Sequence, residues 1–410
     1  MCPSRLSLQI LASALLVAST TAQAAPTTRW TATELTGMTV LDVNGQGKVV
    51  GYRVTAESPS QATVYSAGAY TDLVPASAGL SRVESISDNG RMVGAVYGAV
   101  GQERWVEFTG NGGTRAITPT FVGTSRVWIN DRADVAGNYE PAPGQWRAFV
   151  THADGTGFPV GPLSGQVHEI NNQGTVIGYH YNEFAKNRDF VVTRDGASQY
   201  LTSLGGTASY ARDINDRGQI VGWSDLYQDA NHHATLYENG VLHDLGTLDG
   251  VGDSEANAVN EAGQVVGVSD RAGGGSHPFL YENGVMKDLG SLGGARAWAK
   301  SINNLGQVIG YSETASGEVG LDWFLYDQGL MVNIDDLLRP LGNWDARAVA
   351  LADNGYLAGR AYDWDTGLEH SFLLNLSGDG DGGGELPEPA SPALALAGIA
   401  AAALARRRRS

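Results

Sequence analysis

Imidazole is the side chain best suited to ligating a metal or moving a proton near neutral pH, so His232, His233, His277 and His370 are the first residues to weigh for chemistry. Their placement speaks for another role. His233, His277 and His370 stand at the start of the same short apolar segment, "HATLYENG", "HPFLYENG" and "HSFLLNL", in different copies of a repeat. They serve the repeat and not a common centre, and adjacent His232 and His233 cannot chelate one ion together. Asp335-Asp336 and the acidic turns offer oxygen ligands for calcium, but no D-x-[DN]-x-[DN]-G loop is present, and solvated turn carboxylates are the simpler reading. "GNGG" and "AGGGS" lack the strand-to-helix setting of a phosphate cradle. No nucleophile elbow, paired-His zinc motif or kinase set occurs. The expectation is a chain that is not an enzyme, with no metal and no cofactor, structural calcium being the one alternative.

Tyr and Trp are the other residues with a chemical use, since their flat apolar faces and polar tips suit sugar rings and protein surfaces alike. They concentrate in the unrepeated connections "YHYNEFAKNRD", "WSDLYQDANHH", "YSETASGEVGLDW" and "RAYDWDTGLEH". Tyr181, Tyr227 and Trp364 lie well along these connections and are candidate ligand-binding residues. Tyr179, Trp223 and Tyr311 are candidates too, but each directly follows a glycine that ends a repeat motif, where packing competes as an explanation.

The frame that must position them is a repeat. "SINNLGQVIG", "DINDRGQIVG", "AVNEAGQVVG" and "EINNQGTVIG" are versions of one motif, whose closing glycines are Gly51, Gly94, Gly137, Gly178, Gly222, Gly267, Gly310 and Gly359, spaced 43, 43, 41, 44, 45, 43 and 49 residues apart. A period of this size is one supersecondary unit repeated. Between Pro278 and Ser312 the unit reads as four short strands, with Asn283-Gly284 as a two-residue hairpin turn and Asn303 to Gly306 as a second, longer turn. Glycine, 55 of 410 residues, falls in register with these turns. Four short strands per unit predict an all-β fold, a β-propeller of four-stranded blades. Counting first strands and closing glycines predicts eight blades, or seven if a degenerate copy near Ile129 to Gly137 or Leu351 to Gly359 is not a blade. "HSFLLNL" has no hairpin partner after it, so it should join the N-terminal strands and complete one blade. Up-and-down strands then put both kinds of regular turn on one face, and the "LGG" loops and variable connections on the other.

The segments "HATLYENG", "HPFLYENG", "DLGTLDG" and "DLGSLGG", with the "IN..G..VG" motif, resemble the extracellular HAF repeat, most closely over Asp189 to Ser312. The resemblance implies secretion and a repeat fold, and brings no catalytic residues.

Both ends read as addresses. Arg5, an apolar run and "AQA" form a secretory signal over residues 1–24, with Ala22 and Ala24 at the cleavage site. Cys2, the single cysteine, lies inside it, so the mature chain carries no disulfide. A propeller over 25–377 is followed by an acidic Gly-rich linker, 378–386, and then by Pro387, Glu388 and Pro389, an apolar run from Ala393 to Ala405, and Arg406, Arg407, Arg408 and Arg409. The run is too short for a committed span. Residues 387–410 resemble the PEP-CTERM sorting signal. The resemblance implies a Gram-negative exopolysaccharide producer, recognition and cutting of the tail by a membrane exosortase, and transient inner-membrane contact before release to the cell surface or matrix. Without Arg5 and the four C-terminal arginines, basic residues fall from 27 to 22 against 44 acidic ones, a net charge near −22. Such a surface excludes nucleic acid as a partner. It leaves extracellular polysaccharide or a surface protein as partner, in a binding or structural role. The rival functions are a polysaccharide-active enzyme and a protein-docking scaffold.

Overall fold

A computed structural model of the protein describes residues 29–377 and 384–385, apart from 99–102, 111, 118–123, 141, 143–144, 161–164, 183–185, 193–195, 228–230 and 316–319. It is built almost wholly of antiparallel strands, with one short α-helix, Ile334–Leu338, among the described residues. The strands form a β-propeller. Five sheets have four strands, one has five, and one has eight. The last is two four-stranded meanders, Ser254–Asp288 and Gly293–Asn333, linked by a single parallel pair, Ser276 with Arg296. Numbered along the chain by their innermost strands, the four-stranded units begin at Met38, Ser81, Thr124, Gly165, Gly205, Ser254, Gly293 and Trp344.

The unit read from the sequence is shifted by two strands. "PFLYENG" and "VMKDLG" are the third and fourth strands of the sixth unit, whereas "AWAKSINN" and "LGQVIGYS" are the first and second of the seventh. The innermost strand is the one that enters the repeated motif. Apolar residues of consecutive units interdigitate: Val221 and Leu236 of the fifth pack against Val259 and Phe279 of the sixth, and Val266 of the sixth against Ile302 and Phe324 of the seventh. The same holds between last and first, where Ala358 and Leu373 meet Val40 and Val49. Each interface buries a face that a lone twisted sheet would leave wet.

The last unit takes three strands from the C-terminus, Trp344–Leu351, Tyr356–Asp363 and Leu368–Asn375, and its fourth, Arg29–Glu34, from the N-terminus. "HSFLLNL" does pair with "RWTATE", but the split is three strands and one, and not one C-terminal strand added to N-terminal ones. Trp30 is carried by that strand into the core formed with Ile334 and Leu374.

The repeated motif does three jobs. Its first is the turn: Asn303 Oδ1 accepts the N–H groups of Leu305 (3.1 Å) and Gln307 (2.9 Å), and Gly306 takes a φ of +79°, a conformation glycine adopts without a Cβ penalty. The second is a belt between units. Nδ2 of each motif asparagine donates to the carbonyl at the same place in the next unit: Asn171 to Asn215 (2.8 Å), Asn215 to Asn260 (2.9 Å), Asn260 to Asn303 (3.0 Å) and Asn303 to Ala352 (3.1 Å). The following residue adds a second tier, its side chain accepting the N–H of the unit before it, as in Asp216 with Asn172 (2.6 Å) and Glu261 with Asp216 (2.7 Å). The third job belongs to the closing glycine. In seven units the innermost strand carries a one-residue register shift, such as Ala211 to Asp213, and such a bulge bends the strand toward its partner. A Cβ on Gly222 would then lie 1.9 Å from the Tyr210 carbonyl oxygen. The third unit lacks the bulge at this place, and there the atoms nearest a Cβ on Gly137 belong to the side chains of Phe149 and Val127.

Asn239-Gly240 and Asn283-Gly284 both adopt positive φ, 52° and 81° in the first, 53° and 81° in the second, as the tight hairpin turn requires. They share one face with the motif turns. The variable connections and "LGG" loops share the other.

Candidate functional site

The variable face carries the exposed aromatic residues. Tyr227 follows strand Ile220–Leu226 and is 70% exposed. Trp364 is 64% exposed on a tight turn whose Gly367 N–H donates to the Asp363 carbonyl (2.8 Å). Asp363 organises that turn, accepting Asp365 N–H (2.9 Å) and the Thr366 hydroxyl (2.8 Å), and these donors hold its carboxyl below the usual range. The indole stands edge-on to Tyr362, with ring centres 4.8 Å apart, so it is presented by a rigid base and not by a loose loop.

The three aromatic residues next to closing glycines pack between strands. Tyr311 lies in register between Trp298 and Trp323, with centroids at 5.3 and 5.7 Å. Trp223 stacks opposite Tyr210 (6.2 Å, 10°) and leans on His232 (4.8 Å). Tyr179 joins His168 and Tyr210, and its hydroxyl donates to Gln166 Oε1 (3.2 Å). All three are half-buried. Tyr181 is on strand Val176–Asn182 opposite Asn187, and its side chain lies outside the described residues. Tyr227 and Trp364 stand on the fifth and eighth units and Tyr311 on the seventh, so the candidates whose side chains are described do not share one pocket.

The repeat histidines are latches. Nδ1 of His233 donates to Asp244 Oδ1 (2.8 Å), and Nδ1 of His277 lies 3.0 Å from Asp288 Oδ1 and 2.9 Å from the Arg271 guanidinium, each histidine tying a third strand to the fourth. The acceptor is the Asp of the "DLG" segment. His232 is different: Nε2 lies 3.2 Å from Glu255 Oε1 of the next unit, which raises the imidazole pKa and, with Arg212, lowers that of Glu255. Among the described residues no group of three or more His, Cys, Asp or Glu is placed to hold a metal.

A cavity of about 620 Å³ opens at the axis on the regular-turn face, and all eight innermost strands line it. Its carboxylates include Asp42, Glu84, Asp88 and Glu169 on one arc and Asp213, Asp216, Glu261 and Asp353 on the other, with no Lys, Arg or His among the lining residues. Several are engaged by the frame. Asp213 accepts Ile214 N–H and, from the next unit, Val259 N–H, both at 2.8 Å, and Asp42 does the same with Val43 (2.8 Å) and Ile86 (2.9 Å). Burial pushes the Asp213 carboxyl up to about 6, and burial together with the nearby Asp88 pushes Asp353 up to about 6. Nothing in the sequence marks these residues as neighbours, because they come from six different repeats. The signal that could have found them is the acidic or amide residue recurring just after the motif asparagine.

Comparison with known proteins adds an address and a fold. Residues 385–409 match the PEP-CTERM protein-sorting motif. The motif marks an exported protein recognised by an exosortase, and Pro387, Glu388, Pro389 and Arg406 to Arg409 fall inside the matched span, outside the described residues. So do Ala22 and Ala24 lie outside them. Among the described residues no helix is long and apolar enough to cross a membrane. A search of curated protein sequences gave no match.

Solved structures similar to this chain include the β-propeller domain of the Trilobed protease from Pyrococcus furiosus, at 12% identity over 72% of this chain and 97% of that one, TM-score 0.47. Porphyromonas gingivalis dipeptidyl peptidase 4 is similar at 13% identity over 79% of this chain, TM-score 0.49, and the chain spans 57% of that protein's length. TolB from Acinetobacter baumannii is similar at 10% identity over 75% of this chain and 80% of that one, TM-score 0.38. The expectation that the chain is not an enzyme is corrected on this finding, since peptidases stand among the similar structures. At such identities the likeness concerns the fold alone and assigns no activity to this chain.

Proposed function

We propose that this is an exported protein built on an eight-bladed propeller of HAF-type repeats, delivered by its sorting tail to the cell surface, where it serves as a binding or structural component of an exopolysaccharide matrix. The match of residues 385–409 to the sorting motif carries this reading. Residues 1–24 act as the export signal, and an exosortase-type enzyme cuts the tail. Eight inner strands around one axial cavity support the blade number. The variable face is the binding face, because Tyr227 and Trp364 are exposed there while the regular face is taken up by the asparagine belt. No cofactor is assigned.

A protein partner is the second reading, favoured by the exposed apolar residues Val54, Val251, Leu321 and Leu368 on the same face. Glycan-array binding by the purified 25–386 chain, beside mass spectrometry of the released protein, tests both levels. Released protein that still carries Arg406 to Arg409 defeats the sorting reading. Absence of glycan binding, with retention on cells stripped of polysaccharide, moves the protein-docking reading ahead.

A further inference from the structure

The described chain both enters and leaves the ring on the regular-turn face. Strand Leu368–Asn375 starts at the variable turn Asp363–Gly367 and ends where Leu376 N–H donates to the carbonyl of Gly355 (2.8 Å), a glycine of the last motif turn. Arg29–Glu34 runs antiparallel to it, Thr31 opposite Asn375 and Glu34 opposite Phe372, so its first residues lie at the regular face. Gly384 and Glu385 pair antiparallel with Trp30 and Arg29 and carry the chain back toward that face at the point where the sorting motif begins.

We propose that, while the sorting tail is held in the membrane, the ring stands with its regular-turn face toward the bilayer and its variable face pointing away. This rests on the sorting reading above and adds an orientation to it. Seven residues, 386–392, separate Glu385 from the apolar run, and fully extended they span at most about 25 Å. Turning the ring over would send that segment back along the height of a strand, and eight residues such as Leu368–Asn375 rise about 26 Å. No length would then remain to cross the headgroup layer. The tethered orientation sets Asp88, Asp216, Glu261 and Asp353 over the lipid surface. The aromatic residues of the variable face meanwhile reach outward.

Energy transfer to the membrane surface tests the orientation. Cys2→Ser in the full chain leaves no cysteine, so single cysteines can be placed at Leu305→Cys, in a motif turn (56% exposed), and at Leu321→Cys, on the variable side (46% exposed). Each variant, labelled with one donor dye, is reconstituted from detergent into vesicles of phosphatidylethanolamine and phosphatidylglycerol with acceptor-labelled headgroups. Transfer efficiency at Leu305→Cys should exceed that at Leu321→Cys at least three-fold, and Val285→Cys against Leu368→Cys should repeat the contrast at a second pair of exposed positions should either first variant fail to fold. Equal or inverted transfer in protein that floats with the vesicles overturns the orientation and leaves the sorting reading standing. Folded protein that does not float with the vesicles overturns tail insertion, and the orientation with it.

Discussion

Nδ1 of His370 donates to Oε1 of Glu34 at 2.8 Å, across 336 residues of sequence. Within the fifth and sixth units the equivalent contacts, His233 with Asp244 and His277 with Asp288, span a single hairpin. Glu34 in "TELTG" therefore stands for the Asp of "HDLGT" and "KDLGS", and the N-terminal strand is a displaced fourth strand.

Removing that strand should be far worse than removing its latch. Glu34→Ala is expected to cost about 1 kcal/mol, the usual net value of one hydrogen bond, and to lower the melting temperature by a few degrees. Deleting residues 29–34 strips the edge of Leu368–Asn375 and takes Trp30 out of the core, so aggregation should follow, as it should for truncation at Gly367. Size-exclusion chromatography and calorimetry decide it: a monomer with the parental melting temperature after deletion contradicts the shared unit.

The closing glycines give a graded prediction. Gly222→Ala sets a Cβ against the Tyr210 backbone carbonyl at 1.9 Å, which only backbone movement can relieve, and should cost about 3 kcal/mol or more. Gly137→Ala meets the side chains of Phe149 and Val127 at 2.8 Å, which can shift, so about 1–2 kcal/mol is expected. Denaturant midpoints of the two variants should differ in that order. Equal losses would mean that the bulge is not what excludes the side chain.

Turn chemistry made much of this fold legible. Asn-Gly pairs and the glycine after the motif asparagine impose positive φ, and Asn283, Gly284 and Gly306 adopt it. The division of the faces follows from strand parity alone. The grouping of strands into units was not legible in the same way, because "PFLYENG" and "SINN" are joined in sequence with the same regularity whichever sheet each enters, and only hydrogen bonding shows that the boundary falls between "VMKDLG" and "AWAKSINN". The axial cavity is hidden for a related reason: its carboxylates come from separate repeats and meet only through the symmetry of the ring. The candidate aromatic residues divide by position. Those beside a closing glycine, such as Tyr311, are bound into cross-strand stacks, whereas Trp364, on a turn, is exposed.

Acidity should stabilise this protein over a range where many proteins lose stability. Burial raises Asp213 and Asp353 to about 6, and burial with the nearby Asp322 and Asp345 raises Asp335 to about 7, from an ordinary 3.8. The folded chain then keeps protons that the unfolded chain releases above 3.8, so this contribution is full below 3.8, shrinks as pH rises beyond it and is lost once pH passes the folded values of about 6 to 7. Glu255, held low by His232 and Arg212, acts in the opposite sense and loses its contribution as pH falls below the ordinary Glu value of 4.5. Melting temperature should therefore be highest near about pH 4.5 and decline up to about pH 7, above which these carboxyls are ionised in both states. Asp335→Asn, which keeps an acceptor for the Ala346 N–H, should flatten the decline between about pH 4 and 7. A parental profile that rises from about pH 5 to 7 would contradict the protonated carboxyls.

The last prediction separates frame from binding face. Asn260 Oδ1 accepts the N–H groups of Ala262 (3.1 Å) and Gln264 (3.0 Å), and its Nδ2 donates to Asn303 O of the next unit (3.0 Å). Asn260→Ala removes these bonds, and the one from Nδ2 to Gln264 Oε1 (2.7 Å), at a buried position and should cost about 2–4 kcal/mol, while the fraction that remains folded binds the matrix as the parent does. The Tyr227→Ala, Trp364→Ala pair should do the reverse. Both side chains are mostly exposed, and exposed substitutions rarely shift stability beyond about 0.5 kcal/mol each. Loss of the two aromatic surfaces should weaken retention on polysaccharide-bearing cells several-fold at an unchanged melting temperature. Retention assays on folded protein, beside thermal melts, read the two axes independently. If Asn260→Ala is thermally silent, the belt is not what joins the units. If the aromatic pair leaves retention unchanged, the variable face is not the site of matrix binding, even though its loops are the least repeated part of the chain.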